Sequence, residues 1–89
     1  MNALQTSARE PATRSAKIRA VVLSQLGRFT AGQVLTQVLE LYPNDRFSMN
    51  LVCVVVNELM HREQIEWVAI AGAGRMRMRI YQVSEHGAE

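Results

Sequence analysis

The sequence predicts a single α/β domain of the α+β type, in which three helices precede a two-stranded β-hairpin. Three segments with apolar residues at helical spacing each follow a Ser or Thr, the residues preferred as helix N-caps. Two segments rich in β-branched and aromatic residues then flank the glycine-containing stretch 71–74, which is typical of a hairpin. The second of these segments alternates arginine with apolar residues, and a period of two indicates a strand.

The N-terminal residues 1–14 show no apolar periodicity and include Pro11, so we expect a flexible arm before a domain spanning 15–84. The first helix is predicted over residues 16–26, with Ser15 as its cap and Gly27 as its stop. Its apolar positions are Ile18, Val21, Val22, Leu23 and Leu26.

The second helix is predicted to begin after Thr30, because Thr30 and Gln33 have the spacing of a capping box. The preceding Arg28-Phe29 is long enough only for a strand stub. A turn that starts at Pro43 ends the helix. The apolar residues with helical spacing are Val34, Leu35, Val38, Leu39 and either Leu41 or Tyr42.

The third helix is predicted from Ser48 to Glu63, although four valines between Val52 and Val56 would also suit a strand. A helix is favoured because Ser48 can cap it, because helix-forming residues continue from Asn57, and because the segment is long for a strand. A strand over residues 51–56 remains the alternative.

The hairpin strands are predicted at Ile65 to Ala71 and at Arg75 to Val83, joined by a glycine turn, with residues 85–89 frayed. Strand periodicity places three arginines on one face of the second strand and three apolar residues on the other. The arginines are Arg75, Arg77 and Arg79, and the apolar residues are Met76, Met78 and Ile80.

The length, composition and charge of the chain limit the classes of protein to which it can belong. The chain has 89 residues, of which 48% are hydrophobic, which is enough for one core. Its single cysteine, Cys53, cannot form an internal disulfide, so we expect a reduced cytoplasmic protein. No signal peptide is recognisable, and the longest apolar run, Leu51 to Val56, is too short to cross a membrane. A net charge of +2 is compatible with binding nucleic acid without requiring it.

The order of elements over residues 15–83 resembles the winged helix-turn-helix superfamily, including regulators of the ferric uptake and MarR-like families. The resemblance rests on Phe29-Thr30, on the apolar positions of helices two and three around a Pro-containing turn, and on the strand entry Ile65-Glu66-Trp67-Val68. It implies a three-helix winged helix-turn-helix whose wing is the C-terminal two-stranded β-hairpin. It also implies a small DNA-binding protein, either a transcriptional regulator or a factor of the phage or mobile-element type.

In that superfamily the third helix enters the major groove and the wing reaches the DNA backbone or the minor groove. The resemblance therefore implies direct binding to double-stranded DNA, without a cofactor, by two copies of the chain. We expect the core face of the third helix to be Val52, Val55, Val56 and Leu59, which leaves asparagines facing outwards. Lys17, Arg19 and Arg28 would extend the basic surface if the fold brings them near the wing. The predicted DNA-binding residues are Asn50, Asn57, Arg75, Arg77, Arg79 and Arg46.

The outer face of the third helix is otherwise apolar, which departs from the usual polar base readers. The alternative is a protein-interaction module, or a subunit of a complex, because exposed apolar patches mark interfaces. A register error of one residue, or an arm or tail folded over the patch, would also explain the pattern. The arginines of the wing, in turn, suit either phosphate binding or a charged edge strand that resists aggregation. The predicted interface residues are Met49, Leu51, Cys53 and Val54.

No residue pattern indicates an enzyme or a small-molecule substrate. Cys53 lies among valines, where an inert hydrophobic role is usual, and His61 and His86 lack the partners of a metal site. The segment 72–74 precedes a strand rather than a helix, so we read it as a turn and not a phosphate loop. Trp67 is predicted to pack in or beside the core. We therefore expect no catalytic residues, no cofactor, no metal and no membrane partner.

Overall fold

The computed structural model describes residues 13–72, 74 and 77–84. Within them, three helices precede one antiparallel two-stranded sheet, so the predicted α+β layout of three helices and a hairpin is confirmed. Most of the expected N-terminal arm and the expected frayed C-terminus lie outside the described residues. The elements are α1 (Arg14–Leu23), α2 (Ala31–Leu41), α3 (Met49–His61), β1 (Ile65–Ala71) and β2 (Met78–Val83).

Helix α1 begins earlier than the sequence predicts. Its N-cap is Thr13 rather than Ser15, because the Thr13 hydroxyl accepts a hydrogen bond from the Ala16 amide at 3.0 Å. Arg14, expected in the arm, is already helical and donates to the Arg46 carbonyl at 3.1 Å. The first turn of α1 therefore contacts a residue that is distant in sequence.

Helix α1 also ends earlier than predicted, at Leu23 instead of residue 26. The Ser24 hydroxyl and the side-chain amide of Gln25 both donate to the Val21 carbonyl, at 2.8 and 3.0 Å respectively. The same carbonyl also accepts from the Ser24 backbone amide at 3.2 Å, so several donors converge on it at the helix end. Leu26 was predicted as an apolar helix position and is instead fully exposed beyond the helix.

The start of α2 is fixed by the predicted capping box. The Thr30 hydroxyl accepts from the Gln33 amide at 3.2 Å, and the Gln33 side chain accepts from the Thr30 amide at 2.9 Å. The predicted strand stub is also present, since Phe29 and Tyr81 exchange two backbone hydrogen bonds of 2.8 Å. Their rings lie 5.9 Å apart. This bridge brings the beginning of α2 beside β2.

The valine-rich segment is helical, and the strand alternative is wrong. Ser48 caps α3 by accepting a hydrogen bond from the Leu51 amide at 3.1 Å. The C-terminus forms a Schellman motif, in which the Glu63 amide donates to Met60 and the Gln64 amide to Leu59, both at 3.0 Å. Glu63 adopts the left-handed conformation that this motif requires, with φ of 60°.

The two hairpin strands pair antiparallel, with an irregularity in β1. Trp67 pairs with Tyr81 and Ala69 with Ile80, so the intervening Val68 is the extra residue of a β-bulge. Strand β2 begins at Met78 rather than at the predicted position 75, which lies outside the described residues. Positive φ angles at two glycines, 85° at Gly72 and 60° at Gly74, confirm the predicted glycine turn.

All three helices and both strands contribute to one core. The predicted core face of α3 is confirmed, since all four of its residues are buried. Among the described helices, none has the length and apolarity needed to cross a membrane. The buried residues are Ile18, Val21, Val22, Phe29, Val34, Val38, Val52, Val55, Val56, Leu59, Ile65 and Tyr81.

Candidate nucleic-acid interface

One exposed stripe runs along the outer side of α3, opposite its buried valines. Its members have the spacing of a single helix face, and all of them are exposed. Neither asparagine in the stripe uses its side chain in a hydrogen bond with the described residues. Their amide groups are therefore free to contact another molecule. The stripe consists of Asn50, Cys53, Val54, Asn57 and His61.

A groove of about 340 Å³ lies between α3, the first turn of α2 and the hairpin. Helix α3 contributes Met49, Cys53 and Asn57, and α2 contributes the segment 30–32 with its cap. The hairpin contributes residues 77–79 together with Tyr81. The groove thus brings the exposed stripe of α3 beside the arginine-containing strand.

Two arginines give this groove a positive charge. Arg77 and Arg79 both line it and are exposed, and none of the lining residues that the structure describes is acidic. Within the part of the chain that the structure describes, no acceptor binds either guanidinium group. Unpaired guanidinium groups beside a free amide suit a ligand with phosphate oxygens, because arginine can contact phosphate through two N–H groups at once.

Trp67 lies beside Arg79, and its predicted position in or beside the core is wrong. Its side chain is 48% exposed. The indole N–H donates to the Ala69 carbonyl at 2.9 Å, and the Arg79 Cζ atom lies 4.6 Å from the indole ring centroid. The β-bulge after Trp67 changes the register at this point, which simple alternation along the sequence does not reveal.

Two of the remaining predicted DNA-binding residues, Asn50 and Arg46, are described by the structure, and neither lines the groove. Asn50 shares the stripe of α3 with Asn57 but lies outside the lining. Arg46 is exposed in the turn between α2 and α3, where its carbonyl accepts the bond from Arg14. Arg75 lies outside the described residues.

Two basic residues considered as extensions of the surface are engaged elsewhere. Lys17 forms an ion pair with Asp45, and Arg19 donates to Glu58 at 3.1 Å. These pairs connect α1 to the turn before α3 and to α3 itself. They therefore contribute to helix packing and are not available as free charges.

The residues of the alternative protein interface differ in accessibility. Val54 is 63% exposed, Met49 is 41% exposed, and Cys53 is also exposed with a free thiol. Leu51 instead packs partly against the core. An apolar contact on this side of α3 would therefore depend mainly on Val54 and Met49.

Sequence reasoning missed the contribution of α2 to the groove. The capping box at Thr30 located the start of α2, but gave no sign that this turn lies next to β2. That proximity depends on the Phe29–Tyr81 bridge, which joins residues distant in the chain. A two-residue strand stub is too short a signal to identify its partner strand.

No model of a known protein family matches the chain, and no curated protein shows a significant match. In the described ranges, no three His, Cys, Asp or Glu side chains are grouped closely enough to hold a metal ion. The order of the elements and the groove between α3 and the hairpin are therefore the features of this protein that indicate a function.

Proposed function

We propose that this protein is a winged-helix DNA-binding protein that binds double-stranded DNA through α3 and the hairpin. One observation carries the proposal: the groove brings Asn57 together with Arg77 and Arg79, and these side chains form no hydrogen bond or ion pair with the described residues. In winged-helix proteins the third helix and the wing contact DNA together. The described elements follow the same order, with the hairpin as the wing.

In this proposal Asn50 and Asn57 read base edges. An asparagine amide can pair with the N6 and N7 positions of adenine in the major groove. The two residues are seven positions apart on one face of α3, which corresponds to about 10 Å along a helix axis. With α3 in the major groove, the two residues would contact different base pairs of one site.

Arg77 and Arg79 would contact backbone phosphates, and such contacts position a protein without reading its sequence. Arg75 and Arg46 are proposed to add to this charge. Two copies of the chain would act together, because a single small module forms a limited interface with DNA. A role as a transcriptional regulator, or as a phage or mobile-element factor, follows from such binding, and agrees with the cytoplasmic location expected from the sequence.

The proposal is tested by titrating a labelled random-sequence duplex with the protein over a range of salt concentrations. We expect non-specific binding with a Kd of about 10⁻⁴ to 10⁻⁶ M that weakens steeply as salt increases. Such a result would justify selecting a preferred site from a random library. A protein that shows no binding even at low salt would refute the proposal.

A second candidate, a protein-interaction module, is favoured by the 63% exposure of Val54 and the 41% exposure of Met49. Here the outer side of α3 contacts a protein partner or a second copy of the chain. Light scattering on the free protein measures self-association directly. A dimer that Val54→Glu converts to a folded monomer, in a protein without affinity for DNA, would support this candidate over the first.

A further inference from the structure

We propose that Trp67 is a positioning residue for DNA binding, which restrains the guanidinium group of Arg79 at the groove beside α3. This inference rests on the proposed DNA-binding function and deepens it. Trp67 lies outside the groove lining. The inference assigns Arg79 a restraint that Arg77 lacks, although both arginines line the groove and both are proposed to contact phosphates.

The indole of Trp67 is oriented by a local hydrogen bond rather than by burial. Its N–H donates to the Ala69 carbonyl at 2.9 Å, across the bulge formed by Val68, while the side chain stays 48% exposed. A tryptophan has only two side-chain torsions, so one hydrogen bond from the ring removes much of its freedom. The ring therefore provides an oriented apolar surface beside β2.

Arg79 lies against this surface. Its Cζ atom is 4.6 Å from the ring centroid, within the range of about 6 Å in which a cation is attracted to an aromatic face. The register supports the contact, since Trp67 pairs with Tyr81 and Arg79 with Ile70, which makes Trp67 and Arg79 diagonal neighbours. In the described part of the chain no acceptor binds the N–H groups of Arg79, so they remain available for phosphate oxygens.

The functional consequence is preorganisation. An arginine side chain loses conformational freedom when it binds a phosphate, and this loss reduces affinity. A ring contact that restrains the guanidinium group before binding lowers that loss. Arg77 lines the same groove without an aromatic contact, so it provides an internal comparison. Trp67 should therefore support the contribution of Arg79 and leave that of Arg77 unchanged.

The experiment is a double-mutant cycle on affinity for a random-sequence duplex at fixed low salt. Trp67→Leu should weaken binding about two- to fivefold, the range that follows from an exposed cation–π contact. Trp67→Phe, which keeps an aromatic face, should bind more tightly than Trp67→Leu. Ile70→Ala is the matched control, because it removes exposed apolar surface opposite Arg79 without removing a ring, and it should bind like the wild type.

The cycle separates positioning from a general structural role. In an Arg79→Ala background, Trp67→Leu should cause no further loss, whereas in an Arg77→Ala background it should cause the same loss as in the wild type. Thermal melts of every variant confirm that the compared proteins are folded.

The proposal would be overturned if Trp67→Leu bound like the wild type, or if it weakened binding equally in both arginine backgrounds, while the wild type still bound DNA in a salt-dependent manner. Absence of wild-type binding would instead refute the DNA-binding function itself, and this inference with it.

Discussion

Glu63 follows the C-terminus of α3 and has a φ of 60°, the left-handed conformation of the Schellman motif. We expect Glu63→Gly to stabilise the protein. A non-glycine residue in the left-handed region costs about 1–2 kcal/mol, whereas the greater freedom of glycine in the unfolded chain costs roughly 0.5–1 kcal/mol. Loss of an exposed carboxylate at a helix C-terminus adds a gain of about 0.3 kcal/mol. The expected net effect is an increase in the free energy of unfolding of about 1 kcal/mol.

All hydrogen bonds of Glu63 in the described structure use its backbone, so the substitution preserves them. Its amide donates to the Met60 carbonyl, and its carbonyl accepts from the Ser84 hydroxyl at 2.7 Å. The assay is urea denaturation, supported by thermal melts, in which 1 kcal/mol corresponds to roughly 4–8 °C for a small domain. Glu63→Gln is the matched control, because it removes the charge and keeps the strained backbone. If Glu63→Gly were no more stable than Glu63→Gln, the reasoning about backbone strain would be refuted.

Four further substitutions test the helices and their surfaces. Val54→Glu should change the free energy of unfolding by less than about 0.5 kcal/mol and weaken duplex binding. Val55→Glu should instead unfold the domain, because Val55 is only 2% exposed. Circular dichroism distinguishes a folded from an unfolded variant, and an unfolded Val54→Glu would contradict the assigned face of α3. Thr30→Ala should cost about 1 kcal/mol in urea denaturation through loss of the α2 cap, and an unchanged urea midpoint would contradict that role. Lys17→Met should lower the free energy of unfolding by about 1 kcal/mol, because it removes the partly buried ion pair with Asp45. The difference between variant and wild type should become smaller at high salt, and a difference that does not depend on salt would indicate a packing effect instead.

The elements with local signals were predictable from the sequence. The Thr30 and Ser48 caps identified the starts of α2 and α3, since each hydroxyl bonds an amide three residues later. Helix α3 forms despite its four valines because three of them, Val52, Val55 and Val56, pack into the core, and their burial outweighs the small loss of helix propensity that β-branching causes. Both ends of α1 were predicted wrongly, at Ser15 and Gly27, since the observed ends involve a hydrogen bond that the Thr13 hydroxyl accepts and one that the Ser24 hydroxyl donates.

The candidate site was only partly predictable. Alternation in the second strand placed its arginines together, and Arg77 and Arg79 do line one groove. It gave no indication of which elements they would face, because that depends on the Phe29–Tyr81 bridge between distant segments. The exposed position of Trp67 was missed for a related reason, since a single extra residue in β1 shifts the register and no residue type marks it.

The most direct test of the central claim is the salt dependence of duplex binding for three single variants, Arg77→Ala, Arg79→Ala and Arg62→Ala, and for the Arg77→Ala/Arg79→Ala double variant. Arg62 is an exposed arginine at the far end of α3 and lies outside the groove lining. Arg62→Ala therefore changes the net charge as much as either groove variant does, but leaves the groove intact. We expect the loss of either groove arginine to reduce the magnitude of the slope of log K against log salt by about 0.9, and the loss of both to reduce it by about 1.8. Arg62→Ala should leave the slope nearly unchanged. Equal slopes for the wild type and the double variant would contradict the claim that the groove binds the DNA backbone.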